Sequence, residues 1–146
     1  MRILVISQYF WPENFRINDL VTEFTARGHD VTVLTGYPNY PSGAVLPEFK
    51  AAPKTFAQFG EVRVVRVPLL PRGQGGLRLI LNYASFAVSA TLLGAWRLRK
   101  ERFDVIFVFE PSPITVGLPA AFLRFLKQAP VAFWVLDLWP ETLQAV

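Results

Sequence analysis

The chain contains no cysteine and a single histidine, His29. Disulfides, thiolate nucleophiles and cysteine-ligated zinc are excluded, and so is a multi-histidine metal site. Charge is sparse: Asp, Glu, Lys and Arg make up 18% of the 146 residues, against 52% hydrophobic. Disordered chains have the reverse balance, so one packed domain is expected. The loop after the first apolar run has neither G-x-G-x-x-G nor a G-K-[ST] phosphate loop. A standard dinucleotide cradle is therefore disfavoured, and with it a nucleotide-dependent oxidoreductase or epimerase. The opening apolar stretch, residues 3–6, is too short for a secretory signal and no small-residue cleavage site follows. The expected location is cytoplasmic.

The net charge of +4 favours anionic partners such as nucleotide sugars and lipid head groups. The bases are scattered apart from Arg97, Arg99, Lys100 and Arg102, so nucleic acid is not an expected partner. That cluster follows a helical pattern. It either offsets the helix dipole or forms a membrane-surface or phosphate patch.

Short β-branched or large apolar runs at residues 3–6, 31–34, 62–67, 103–109 and 131–136 read as five strands. The first, fourth and fifth are nearly continuous apolar runs, with Asp104 the one charge, as in parallel strands covered on both faces. Arg63 and Arg66 suit the third strand to a sheet edge. Ile17, Leu20, Val21 and Phe24 form one face of an amphipathic helix, stopped by Gly28, with His29 as a turn residue. Residues 113–127 hold Ile114, Leu118, Phe122 and Phe125 at helical spacing. The pattern predicts a Rossmann-like, doubly wound α/β domain with strand order 3-2-1-4-5 and helices on both faces. Residues 36–60, rich in proline and aromatics, read as a long functional loop.

Between the third and fourth strands, residues 79–96 carry no charge. As a helix they would span about 27 Å at ~1.5 Å per residue, close to a hydrocarbon core of ~30 Å. The segment nevertheless joins two strands of one parallel sheet and contains Asn82, Ser85, Ser89 and Thr91. A buried core helix is the first expectation. A helix from Leu79 towards Arg102 whose outer stripe also touches membrane or a partner is the second, and a true span the third. The small stripe Ala84, Ala87, Thr91 and Gly94 suits close approach to the sheet, and Leu79, Tyr83, Phe86 and Leu93 form the bulky stripe opposite.

Ligands of open α/β sheets bind beyond the carboxyl ends of the strands. Four loops qualify. After the first strand, Asn14 is a candidate N-cap for a helix starting near Phe15, and that helix terminus, with Arg16 and Asn18, offers donors to an anion. After the second strand, residues 36–43 place Tyr37, Asn39 and Tyr40 among prolines, a stiff aromatic lip suited to a sugar ring. Glu110 ends the fourth strand and Asp137 follows the fifth, with Trp139 and Glu141 close behind. Two carboxylates on adjacent strands can position hydroxyls or act as acid and base. They can equally cap helices.

The run from Tyr9 to Leu20, the string R-G-H-D-V-T-V-L-T-G-Y-P-N-Y-P ending at Pro41, and D-L-W-P-E from Asp137 to Glu141 together resemble the N-terminal domain of family 4 glycosyltransferases. The branch most similar is bacterial, in surface-polysaccharide assembly. The resemblance covers the whole chain. It implies the acceptor-side half of a retaining, metal-independent hexosyltransferase with no cofactor beyond its nucleotide-sugar co-substrate. A C-terminal domain absent here would hold most of the donor site. The acceptor implied is a glycan, often lipid-linked, at the inner face of the cytoplasmic membrane. Carried over by position, Glu13, Asn14, Phe15 and Arg16 approach donor phosphates or sugar. Asn39, Tyr40 and Trp139 bind acceptor, and Asp137 and Glu110 are the catalytic candidates. Two departures stand out: Phe109 occupies a place where some members have histidine before Glu-Pro, and the first loop lacks the Gly-Gly pair of many relatives. A chain ending at Val146 is expected not to transfer sugar alone. The alternative is a stand-alone accessory subunit that binds carbohydrate or nucleotide sugar without catalysis of its own.

Overall fold

Aliphatic runs that alternate between two apolar surroundings pair into a sheet buried on both sides. In the computed structural model, which describes residues 1–73, 75–111 and 114–136, the strands are β1 (Arg2–Ile6), β2 (Asp30–Gly36), β3 (Gln58–Phe59), β4 (Val62–Val67), β5 (Val105–Glu110) and β6 (Val131–Val135). They lie in the order β3-β4-β2-β1-β5-β6. The five longer strands are parallel and stand in the expected 3-2-1-4-5 order. The addition is β3, whose two residues run antiparallel to β4. It removes β4 from the outer position that its arginines suggested. Arg63 remains exposed, but Arg66 is only 6% exposed. It shares a face with Val62 and Val64, and its charge answers a buried partner instead of solvent.

The helices are α1 (Arg16–Ala26), α2 (Pro47–Ala51), α3 (Gly76–Ser89), α4 (Ala95–Arg97) and α5 (Gly117–Lys127). Along β1, Ile3 and Val5 face one side, where Ile17 and Val21 of α1 pack with Val31, Val33 and Val64. Leu4 and Ile6 face the other, under Phe86 and Ala90 of the long helix and Ala120 and Leu123 of α5. Helices therefore cover both faces. The segment 36–60 is not one open loop. It holds α2, a 3-10 turn at Pro53–Ala57 and β3. Phe49 anchors it, with its ring 4.8 Å from Tyr37 and 5.7 Å from Phe56.

The start of α1 differs from the expectation. Phe15 takes the N-cap position with no side-chain cap, and Asn14 is exposed. Asn18 ties the turn instead: its Nδ2 donates to the Glu13 carbonyl at 2.8 Å, and its Oδ1 accepts the Trp11 N–H at 3.0 Å. At the far end Gly28 takes φ 78°, which a Cβ would disfavour, and His29 lies in the turn as expected.

The long helix runs from α3 through a π segment, Ala90–Gly94, into α4. Its buried residues include Asn82, Phe86, Ala90 and Gly94, each four apart, and Leu98 just past its end continues the row. Four residues of an α-helix overshoot one turn by about 40°, so such a row drifts off the sheet. The wider π turn absorbs part of the drift. Gly94 is needed there: a Cβ on it would lie 2.8 Å from Leu34 Cδ2. Ala87 and Gly94 approach the sheet as the small stripe suggested. Ala84, though, is exposed and Phe86 is fully buried.

The phase of α5 is set by the sheet. Val116, Ala120 and Leu123 face the core. Ile114, Leu118, Phe122 and Phe125, the row at helical spacing, are the exposed ones, with Phe125 86% exposed. Both faces are apolar, and periodicity alone does not say which one the sheet takes. Leu123→Ala is expected to cost about 2–4 kcal/mol, and Phe125→Ala about 0.5 kcal/mol or less. Urea unfolding of the two variants measures the contrast; equal losses would put α5 in the other phase.

Candidate functional site

Because β1, β2, β4 and β5 are parallel, the segments leaving them all emerge at one end of the sheet. The loop after β1 is fixed first. Ser7 donates its N–H to the Leu34 carbonyl at 3.1 Å, and its hydroxyl bonds the Tyr9 carbonyl at 2.7 Å. The Gln8 carbonyl accepts the Gly36 N–H at 3.2 Å, so the β1 and β2 exits are joined by their backbones.

Glu13 lies at the centre of the rim. Its side chain turns inward, 4% exposed. Oε1 accepts the N–H groups of Asn39 at 2.8 Å and Tyr40 at 2.7 Å, and Oε2 accepts the Phe10 N–H at 3.3 Å. The P-N-Y-P loop is thus held on a carboxylate from a loop 26 residues earlier. Burial pushes the Glu13 carboxyl above its ordinary value, while the three backbone bonds and the nearby Arg66 charge pull it down. Arg66 is the counterpart. Its guanidinium donates to the carbonyls of Phe56 at 3.0 Å, Gly36 at 3.1 Å and Trp11. Burial lowers its pKa to about 10, opposed by the charge of Glu13.

Asn39 is also turned inward. Its Nδ2 donates to the Tyr37 carbonyl at 2.9 Å, and its Oδ1 accepts the Arg72 N–H at 3.2 Å. Tyr40 remains 39% exposed. It closes an aromatic group in which Tyr9 stacks on Phe15 at 5.0 Å and Phe15 meets Tyr40 edge-on at 5.2 Å. The Arg72 guanidinium lies 5.8 Å from the Tyr40 ring centre. Burial, with Tyr83 next, pushes the Tyr9 phenol up to about 12, so Tyr9 stays a neutral donor at physiological pH. Beneath the group is Asn82, fully buried in α3. Its Oδ1 accepts from Gln8 Nε2 at 2.7 Å and from the Tyr9 hydroxyl at 3.5 Å, and its Nδ2 donates to the Leu70 carbonyl at 2.6 Å.

The structure therefore brings Glu13, Phe15, Asn39 and Tyr40 into direct contact or one contact apart. Asn14 and Arg16 lie exposed beside them, with Arg16 3.9 Å from Asp19. Glu110 is the last residue of β5 and fully buried. Asp137 and Trp139 lie outside the described residues. Arg66, Arg72, Gln8, Tyr9 and Asn82 are site-shaping residues that the sequence reading did not single out. Two of them left a signal: Asn82 is an amide inside a charge-free helix, and Arg66 follows Val62 and Val64 on one strand face. Among the described residues no group of three or more His, Asp or Glu could hold a metal ion.

Residues 14–146 match the family model of the glycosyl transferase 4-like domain. The chain belongs to that family. The glycosyltransferase-like domain also resembles solved structures in fold. With the glycotransferase of kitacinnamycin it shares 20% identity and a TM-score of 0.59, over 99% of this chain and 32% of that one. It thus spans about a third of that enzyme's length. With the C-terminal domain of a hydrogenase from Pyrococcus furiosus it shares 18% identity and a TM-score of 0.57, over 91% and 90% of the two chains. A comparison with curated protein sequences gives no match.

Glu13→Gln sets an amide NH2 against backbone donors that now point at carboxylate oxygens, and is expected to cost about 1–3 kcal/mol. The folded-state pKa of Glu13 is raised, so its contribution is full below the ordinary 4.5 and is lost as pH rises through the raised value. The stability gap between wild type and Glu13→Gln should therefore narrow as pH rises above the ordinary 4.5 in urea titrations. A gap that widens with pH would reverse the assignment.

Proposed function

We propose that the chain is the acceptor-side half of a retaining, metal-independent glycosyltransferase. It serves transfer of a sugar from a nucleotide-sugar donor to a lipid-linked glycan during bacterial surface-polysaccharide synthesis, at the inner face of the cytoplasmic membrane. The observation that carries this reading is the rim itself. In a domain of this family, the β1 and β2 exits are locked together by Glu13, leaving a half-exposed Tyr40 flanked by Arg72. An aromatic face beside a cation suits a sugar ring carrying a phosphate, through C–H stacking and charge-assisted hydrogen bonds.

The roles are those that the family resemblance implies. Tyr40 and Trp139 receive the acceptor, with Asn39 shaping the loop from inside. Asn14, Phe15 and Arg16 lie at the start of α1, where free N–H groups and the helix dipole favour donor phosphates. Glu13 acts through the loops it holds. Glu110 and Asp137 are the catalytic candidates, orienting the accepting hydroxyl. The donor site is completed by a further domain of the whole enzyme, so this chain alone transfers no sugar.

The test is titration of the 15N-labelled domain with nucleotide sugars and with a polyprenyl-pyrophosphate-linked sugar. Resonance shifts confined to Asn14, Phe15, Arg16, Asn39, Tyr40 and Glu110 are expected; silence there, or shifts centred elsewhere, removes the reading. In the complete enzyme, Glu110→Gln and Asp137→Asn should each lower turnover by about 10²-fold. Sugar transfer unchanged in both would exclude them from the chemistry.

A further inference from the structure

The long helix Gly76–Arg97 is apolar enough, at a mean hydropathy of 1.4 over its most apolar window, to cross a bilayer. As it lies here it does not. It connects β4 to β5 in one sheet, and Phe86, Ala90 and Ala95 are packed on that sheet. The side away from the sheet is where its apolarity has no internal partner. Leu77, Ile80, Val88, Leu92 and Trp96 are 59–71% exposed and follow one another along its length. Beside it, α5 presents Leu118, Phe122 and Phe125, and the 3-10 turn before it presents Ile114. The two helices share one core on the same side of the sheet, so their outward stripes form one surface.

We infer that this two-helix surface is where the protein docks, lying flat, on a bilayer bearing anionic head groups. Charge selects this occupant. Residues 76–97 and 114–127 contain no Asp or Glu; Arg78 and Arg124 are exposed there, while Arg97 and Lys127 donate to the carbonyls of Arg66, Leu98 and Glu101. Just past the helix end, the Arg99 guanidinium lies 4.6 Å from the centre of the exposed Trp96 ring. A tryptophan backed by a cation at the end of an apolar stripe matches the boundary between acyl chains and phosphates. A protein partner would be met by a polar rim of both signs. On the opposite side of the sheet, α1 shows an ordinary solvent face, with Asp19, Glu23 and Arg16 exposed.

The docking also links to the rim. The helix that would lie on the lipid is the one whose buried side holds Asn82 under Gln8 and Tyr9. Its N-terminal end, near Arg72 and Tyr40, would bring the acceptor lip close to the head groups. This deepens the reading of a lipid-linked acceptor and rests on it for its purpose, not for the binding itself.

The experiment is co-sedimentation of the protein with vesicles of pure phosphatidylcholine and of phosphatidylcholine with phosphatidylglycerol. Wild type should bind the anionic vesicles, and less so as salt is raised. The variants Leu92→Ser with Trp96→Ser, and Phe122→Ser with Phe125→Ser, should each weaken binding by about tenfold or more. Their melting temperatures should not fall, since neither pair touches the core. No partition into anionic vesicles, or binding that either double variant leaves unchanged, would overturn the proposal. So would a dimer that the same variants dissociate in the absence of vesicle binding. Loss of vesicle binding with the rim titration intact would count against this surface only. A silent rim with vesicle binding intact would count against the glycosyltransferase roles only.

Discussion

One buried carboxylate holds the functional end of the domain together. Glu13 has left water, and an isolated ionised carboxyl could not remain inside a protein. It persists because its oxygens accept N–H groups from Phe10, Asn39 and Tyr40, with Arg66 close by. Arg66 in turn uses its fork on carbonyls of three separate segments. Neither charge bonds the other directly in this arrangement; each organises backbone that would otherwise be loop. Removing one partner of such a set is strongly destabilising, because the other is left uncompensated. A rigid lip is thereby obtained in a region with little regular secondary structure.

The long helix has a comparable double constraint. The sheet requires a continuous buried row on it, and the loops require an amide at one position in that row. Asn82 meets the second demand by bonding Gln8 and Leu70 while remaining fully buried. The π segment helps with the first by letting residues four apart stay against the strands. Small side chains at Ala90, Gly94 and Ala95 then bring the helix close to Leu34. Close approach on one side leaves the bulky residues on the other.

Much of the architecture was readable from the sequence, because strand runs and the α1 stripe carry a period that burial on a known side explains. All five parallel strands and their order followed from it. What escaped were features in which two alternatives look alike in one dimension. In α5 both stripes are apolar, and only the sheet decides that Ala120 and Leu123 go inward. Asn14 and Asn18 are both amides near a helix start, and Asn18 holds the turn through contacts from inside the helix. Arg66 read as an edge residue because a cation in a strand usually faces water. The two residues of β3, too few for a pattern, displaced that edge. At the rim, Glu13, Asn39 and Tyr40 were readable as a set of strand-end residues. Their division of labour was not: which side chains turn inward depends on contacts across 26 residues of chain.

The fold by itself does not decide the chemistry. Its similarity extends both to a glycotransferase and to a domain of a hydrogenase, at nearly equal TM-scores of 0.59 and 0.57. A doubly wound sheet supplies only a place where loops converge, and function belongs to the groups on those loops. Here the convergent groups are an aromatic lip, a neighbouring arginine and a fully buried Glu110 at a strand end. The glycine fingerprint that brings a dinucleotide pyrophosphate against the backbone is missing after β1, where Tyr9, Phe10 and Trp11 fill the space with rings. Tyr9 and Phe10 are buried there and Trp11 packs against Phe56 and Phe59, so rings fill the turn where a dinucleotide fingerprint has glycines. The difference from a dinucleotide-binding domain therefore lies in the loop at residues 9–15, not in the sheet beneath it.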